Sequence, residues 1–286
     1  MATLRQLRTR VASVKNIQRV TNAMQLVAAA RVRKAQQAIL AARPYAMQLE
    51  HILRQLSLSV DPDQHPLMRP RPVARVALVV VTSDRGLCGG FNGAVCRFAQ
   101  QQIREWGDRQ VELIAIGRKG RDFFRNRGVK PAREHIGLFR HLQFAQAAQI
   151  ARELTTHYTA GGVDQVNLLF SEFRSLSQQA PVMHQLLPIQ PGAGEGAAAR
   201  DYLFEPDPEH LLSALVPRHV NYQVWRALLE SNAGEQAARM TAMDNAARNA
   251  GDLIGDLTRQ MNKERQSAIT LELMDIVGGA NAVSQG

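Results

Sequence analysis

The sequence predicts an α/β fold: a long antiparallel coiled coil of the N- and C-terminal helices plus a small Rossmann-like α/β domain between them. Three observations lead there. Residues 4–56 contain no glycine and a single proline, Pro44, and small or apolar residues recur every seven positions. Residues 208–277 repeat that periodicity. The middle of the chain instead alternates short apolar runs with helix-like segments, the pattern of a mostly parallel sheet.

In the first segment one row reads Leu7, Val14, Thr21, Ala28, Ala35, Ala42, Leu49, Leu56, with an offset row Ile17, Met24, Ala38, Tyr45, Ile52 interrupted at Arg10 and Arg31. A heptad repeat of this kind marks a coiled-coil seam. Its alanine-rich centre demands a closely approaching partner, and Arg31 in the seam has to snorkel. Pro44 bends or overwinds the helix without ending it. In the last segment the rows are Leu215, Tyr222, Leu229, Gln236, Met243, Ala250, Leu257, Glu264, Leu271 and Leu212, His219, Arg226, Ala233, Met240, Ala247, Ile254, Met261, Ala268. "EPDPEHLL" starts that helix, and "VGGAN" is expected to stop it. Between them, "VALVVVTS", "VELIAIG" and "VNLLFSEF" read as buried strands, "APVMHQLLPI" as an edge strand ending in proline, and "QPGAGEGAAARD" as a loop. The expected division is residues 1–57 as the first long helix, 58–205 as the α/β domain and 206–286 as the second long helix.

Size separates the parts. At 1.5 Å per residue the two helices reach roughly 80 Å and roughly 100 Å. An α/β domain of about 140 residues has a radius of gyration near 14 Å. Such a domain cannot cover either helix, so the two are expected to pair and project as a stalk.

Charge is concentrated. The net charge is +10 with pI near 10.4. The first 56 residues carry ten basic side chains against Glu50 alone. An acidic partner is expected at that segment. The basic, amphipathic start imitates a transit peptide, but its periodicity runs on without a break, so it is read as mature protein. Cys88 and Cys96 fit neither a zinc ribbon nor a redox pair, which suits a reducing compartment. No stretch is long and apolar enough for a membrane span.

The turn "TSDRGLCGGFN", after a strand and before a helix, raises the question of a phosphate site. It lacks the lysine and hydroxyl residue of a phosphate-binding loop, and Gly86, Gly89 and Gly90 miss the dinucleotide spacing. A tight structural turn is the better reading, with Asp84 and Arg85 exposed beside Cys88. The eight histidines are scattered without metal-ligand spacing, and no hydrolase or metalloprotease motif occurs. No catalytic, cofactor-binding or metal residue is expected, and no nucleic-acid partner, since the C-terminal helix is slightly acidic.

The segments "ASVKNIQRVTNAMQLVAAARVRKAQ", "TSDRGLCGGFN", "LLPI", "DYLFEPDP", "EQAARMTAMDNAARNAGDLI" and "NKERQSAITLELMDIVGGANA" resemble the γ subunit of the F-type ATP synthase, nearly end to end and in order. The resemblance implies a non-catalytic rotor shaft inside a ring of three α and three β subunits. Its α/β foot then lies against ε and the c-ring, coupling ion flow to ATP synthesis or hydrolysis. It implies that Arg85 and Cys88 meet an acidic lever loop of β. Arg265 and Gln266, with Thr270 one turn on, meet a β catch loop. Met24 and Arg239 serve coupling, and Tyr202 and Glu205 face the c-ring. The missing inserted segments suggest a bacterial chain, peripheral on the cytoplasmic face of the inner membrane. Cys88 is expected to be reachable and Cys96 buried.

Overall fold

The computed structural model describes residues 3–59, 65–176, 178–190, 205 and 207–284. Helix α1 is Leu4–Ser59, followed by β1 (Arg75–Val81), α2 (Phe91–Glu105), β2 (Gln110–Ile116), α3 (Arg118–Arg125) and β3 (Arg133–His135). A 3-10 turn, Leu138–Arg140, leads to α4 (Phe144–Thr159), β4 (Gln165–Phe173), β5 (Gln179–Leu187) and α5 (Pro208–Ser284).

The strands form one sheet in the order β3-β2-β1-β4-β5, parallel except for β5, which pairs antiparallel with β4 at the edge. Pro188 follows β5 directly, where no further ladder N–H is needed. β1 lies at the centre and is buried on both faces, which is why it reads as an unbroken run of Val, Ala and Leu. Strand alternation sorts that run. Ala77, Val79 and Val81 join Ile114, Ile116, Val166, Leu168 and Phe170 in a core with α4 and the near parts of α1 and α5. Leu78 and Val80 join Leu113, Leu169 and α2 residues Val95, Cys96 and Ala99 on the other face.

The chain divides into two compact units, Met1–Val27 with Met240–Gly286, and Ala28–Arg239. The expected boundaries at 57/58 and 205/206 follow secondary structure, whereas this division follows contacts and runs through both helices. In the second unit Leu49, Leu53, Leu56, Leu212, Val216 and Leu228 are part of the sheet's core. The adjoining stretches of both helices are therefore covered by the α/β domain, contrary to the size argument, because the sheet's open face needs helices to bury it. In the first unit Gln18 donates to the Ala247 carbonyl (3.4 Å) and Gln25 to Asp244 Oδ1 (3.1 Å), an antiparallel pairing.

The seam of α1 differs from expectation in one of its two rows. Leu7, Thr21, Ala28, Ala35, Leu49 and Leu56 are buried as expected. The second row is not Ile17, Tyr45 and Ile52, which are exposed, but Val11, Gln18, Gln25, Val32, Ile39, Ala46 and Leu53. Two of its members are glutamines that bond across the seam, so a search for apolar residues passes it over. Arg31 is thereby outside the seam and exposed, and needs no snorkelling. Pro44 does not end α1. The "VGGAN" stop is not realised either: α5 continues to Ser284. At its start, within "EPDPEHLL", Asp207 Oδ1 accepts from His210 N (2.7 Å) and so caps the helix.

Candidate functional site

The turn at residues 82–92 leaves the C-terminal end of β1, and a dense set of short bonds fixes it. Thr82 Oγ1 donates to the Ile116 carbonyl (3.0 Å) and accepts from Gly120 N (2.8 Å), stitching the turn's start to β2 and α3. Asn92 Oδ1 accepts from Ser83 N (2.9 Å), and its Nδ2 donates to Ser83 Oγ (2.8 Å) and to Cys88 Sγ (3.1 Å). Ser83 Oγ donates in turn to the Arg85 carbonyl (2.6 Å). Asp84 is not a free surface acid: its two oxygens accept from Arg118 N (3.1 Å) and Gly137 N (3.0 Å).

From α5, Arg239 closes the other side. Its Nη2 donates to the Gly86 carbonyl (3.1 Å) and to Glu235 Oε1 (2.6 Å), and both side chains of this ion pair are buried. Burial pushes the Glu235 carboxyl above the usual range, against the opposing pull of Arg239. A buried charge without its partner is expensive, so the pair acts as one unit.

Cys88 departs from expectation. It is 2% exposed, with its sulfur turned inward against Asn92 and Ser83. Burial raises its thiol pKa, with the Ser83 hydrogen bond and Arg239 pulling the other way. Cys96 is buried as expected, its pKa pushed up to about 12 by desolvation. The side chains the turn presents are Arg85 and Leu87.

Arg85, Cys88 and Arg239 thus come together. Arg265, Gln266 and Thr270 lie apart from them, exposed on α5, where Thr270 Oγ1 donates to the Gln266 carbonyl (2.9 Å). Met24 is half-buried on α1. Glu205 is exposed, and Tyr202 lies outside the described residues. Ser83, Asn92 and Glu235 escaped the sequence reading. The signal for the last was present: "EQAAR" places opposite charges four apart among small residues, the spacing of a helical ion pair.

The helices α2 and α4 pack on opposite faces of the sheet, and the order reverses beside β1, so a ligand crevice would open at the C-terminal ends of β1 and β4. Here α5 fills it. Gly234 sits so close that a Cβ there would lie 3.3 Å from Phe91 Cε2 and from Ser171 Oγ. No group of three or more metal-binding side chains occurs among the described residues, and no described helix is long and apolar enough to cross a membrane.

Fold and turn therefore define a class: paired terminal helices joined to an α/β domain whose ligand crevice is filled by the protein's own helix. The family model described as ATP synthase matches residues 3–283. The chain is 45% identical to the ATP synthase gamma chain of Pelotomaculum thermopropionicum over 284 residues, covering 99% of this chain and all of the relative. It is 47% identical to that of Anaeromyxobacter sp. (strain Fw109-5), again over 99% of this chain and all of the relative. Among solved structures, a chain of the Euglena gracilis mitochondrial ATP synthase (OSCP/F1/c-ring, rotational state 3) shares the fold with a TM-score of 0.70 at 18% identity, over 98% of this chain and 94% of that one. The chain belongs to the ATP synthase gamma-chain family.

Proposed function

We propose that the chain is the central rotor shaft of an F-type ATP synthase, a non-catalytic subunit coupling ion flow through a c-ring to ATP synthesis or hydrolysis in an α3β3 ring. The observation that carries this reading is at the end of α5. Every described side chain from residue 265 to 277 is exposed, among them Ile269, Leu271, Leu273, Met274, Ile276 and Val277. A stretch this apolar, uncovered by its own chain, marks a surface made for other subunits.

The mechanism is coupling by differential contact. An asymmetric helix pair inside a threefold ring meets each β subunit with a different side, and so biases each toward a different conformation and nucleotide affinity. Arg265, Gln266 and Thr270 contact a β catch loop in this reading. The turn bearing Arg85, with Cys88 behind it, contacts a β lever loop, and Met24 and Arg239 transmit between shaft and ring. Tyr202 and Glu205 face the c-ring, with ε beside the α/β domain, at the cytoplasmic face of a bacterial inner membrane. Single exposed ion pairs contribute about 0.2–1 kcal/mol, so torque comes from many contacts and from shape.

The test is reconstitution of α, β and this chain, followed by addition of the membrane sector in vesicles. ATP-driven ion pumping that requires the chain is the expected result. Pumping equal with and without it defeats the proposal.

A further inference from the structure

Away from the turn, the second compact unit holds a cleft of about 260 Å³ where α1, α5 and the β4–β5 side of the sheet meet. Its floor is apolar: Met68, Leu168, Phe170, Leu186 and Val216 line it, and none is more than 5% exposed. The rest of its lining is polar. Arg54 comes from α1, His184 from β5, and His219, Gln223 and Arg226 from α5. Among the described lining residues Glu50 is the one acid, and it is already paired with Arg54 (3.2 Å). Two arginines against one glutamate leave the cleft net positive.

These polar groups keep capacity to bind. Arg226 donates from Nε to Glu230 Oε1 (2.7 Å), and among the described residues its hydrogen bonds end there. The Glu230 side chain, 9% exposed, thus fixes one edge of the guanidinium and leaves both Nη groups to the cleft. The His184 ring lies against Phe170, with centroids 5.3 Å apart, and has no hydrogen bond among the described residues. His219 Nε2 lies 3.4 Å from Gln223 Nε2. Burial lowers the pKa of both rings. Arg226 lowers His184 further, against Glu172 and Glu230, while Glu50 opposes the shift at His219. Both imidazoles are therefore neutral at pH 7, and an anion beside them would favour their protonated form. The volume is that of about nine waters at about 30 Å³ each. It lies below the range of pockets that enclose drug-sized ligands. A guanidinium fork and two imidazoles above an apolar floor suit a small anionic head on a short alkyl chain.

We propose that this cleft binds a small, soluble amphiphilic anion, its phosphate or carboxylate head held by Arg226, His184 and His219 and its alkyl part lying on the floor of Leu168, Phe170 and Leu186. Bound there, the ligand touches α5 and both edge strands of the sheet at once, and stabilises the unit by mass action. Nothing in this site depends on the shaft reading.

The experiment titrates the full chain with hexyl phosphate by calorimetry. One site per chain is expected. Inorganic phosphate should bind about tenfold more weakly or worse, because it leaves the floor uncovered, and hexyltrimethylammonium should not bind. Hexyl phosphate no tighter than inorganic phosphate, equal binding of the ammonium, or binding to anionic phospholipid vesicles but not to hexyl phosphate overturns the proposal. The double variant Arg226→Met, Glu230→Met leaves no unpaired buried charge and should lose about tenfold in affinity. Undiminished binding by it overturns the proposal. His184→Ala, whose ring has no hydrogen bond to lose, is the second check. Hexanesulfonate keeps its charge at all pH values used, so its affinity should rise about threefold or more from pH 8 to pH 5.5, and less steeply in His184→Ala. A flat profile in the wild-type chain, or an equal slope in the variant, overturns the proposal.

Discussion

Arg239 does two things with one guanidinium, neutralising a buried carboxylate and fixing the carbonyl of Gly86. Removing it leaves Glu235 buried and unpaired, so Arg239→Ala should destabilise the chain by about 3–5 kcal/mol. Replacing both partners by leucine should cost less than the single change, because no uncompensated charge remains. Thermal unfolding of the three chains checks the order. The burial of Cys88 carries a second expectation at this scale. Its raised pKa and inward sulfur leave little thiolate and no path for reagent. Iodoacetamide at neutral pH should leave the folded chain unmodified and alkylate Cys88 only once denaturant is added.

At the scale of elements, the α1–α5 pair and the α2–α3 face depend on how near backbones come. Gly255 is exposed on α5, and a Cβ there meets nothing within 4 Å. Gly255→Ala should therefore stabilise the helix by about 0.5–1 kcal/mol through backbone entropy alone. Gly120 in α3 is the contrasting case, since an added Cβ would lie 2.8 Å from Thr82 Oγ1, inside the bond that ties the turn to α3. Gly120→Ala should cost about 1–3 kcal/mol by overpacking. Melting curves by circular dichroism should move in opposite directions for the two substitutions. In the seam Ala28 and Ala35 are buried, and Gln18 and Gln25 keep their amides bonded to α5.

For the molecule as a whole, acid should be the vulnerable direction. Burial lowers the pKa of His65, His135, His184 and His219, so the folded chain holds these rings neutral. In the unfolded chain they protonate near pH 6.5. The unfolded state binds more protons below that point, and stability falls as pH drops through about 6.5 and below. Asp164 adds a later loss. Its burial raises the carboxyl pKa, but N–H donors from Arg75 and Ala74 and the Arg75 charge outweigh this and leave it lowered. That stability is present above the unfolded carboxylate pKa near 3.9 and disappears as pH falls past it. Glu235, pushed upward, works in the opposite sense, and it is one group against five. Melting temperature should decline between pH 7.5 and 5.5 and fall further near pH 4; a flat profile across the first interval would contradict the neutral-histidine account.

The sequence by itself determined the two helices, the three central strands and the edge strand, because these follow from local periodicity: seven-residue rows for the helices, short apolar runs for strands covered on both faces. It also determined that "SDRGLCGG" lacks the chemistry of a phosphate loop. The tertiary structure decided everything that depends on distance between remote segments. The true second row of α1 contains glutamines whose partners, Ala247 and Asp244, lie more than two hundred residues away, so apolar periodicity pointed to the wrong row. The inward sulfur of Cys88 depends on Asn92, the fixed carbonyl of Gly86 on Arg239, and the filled crevice on Gly234 meeting Phe91 and Ser171. A side chain's direction in a turn is set by which neighbours satisfy the backbone around it. That information resides in long-range hydrogen bonds, which a local pattern of residues does not contain.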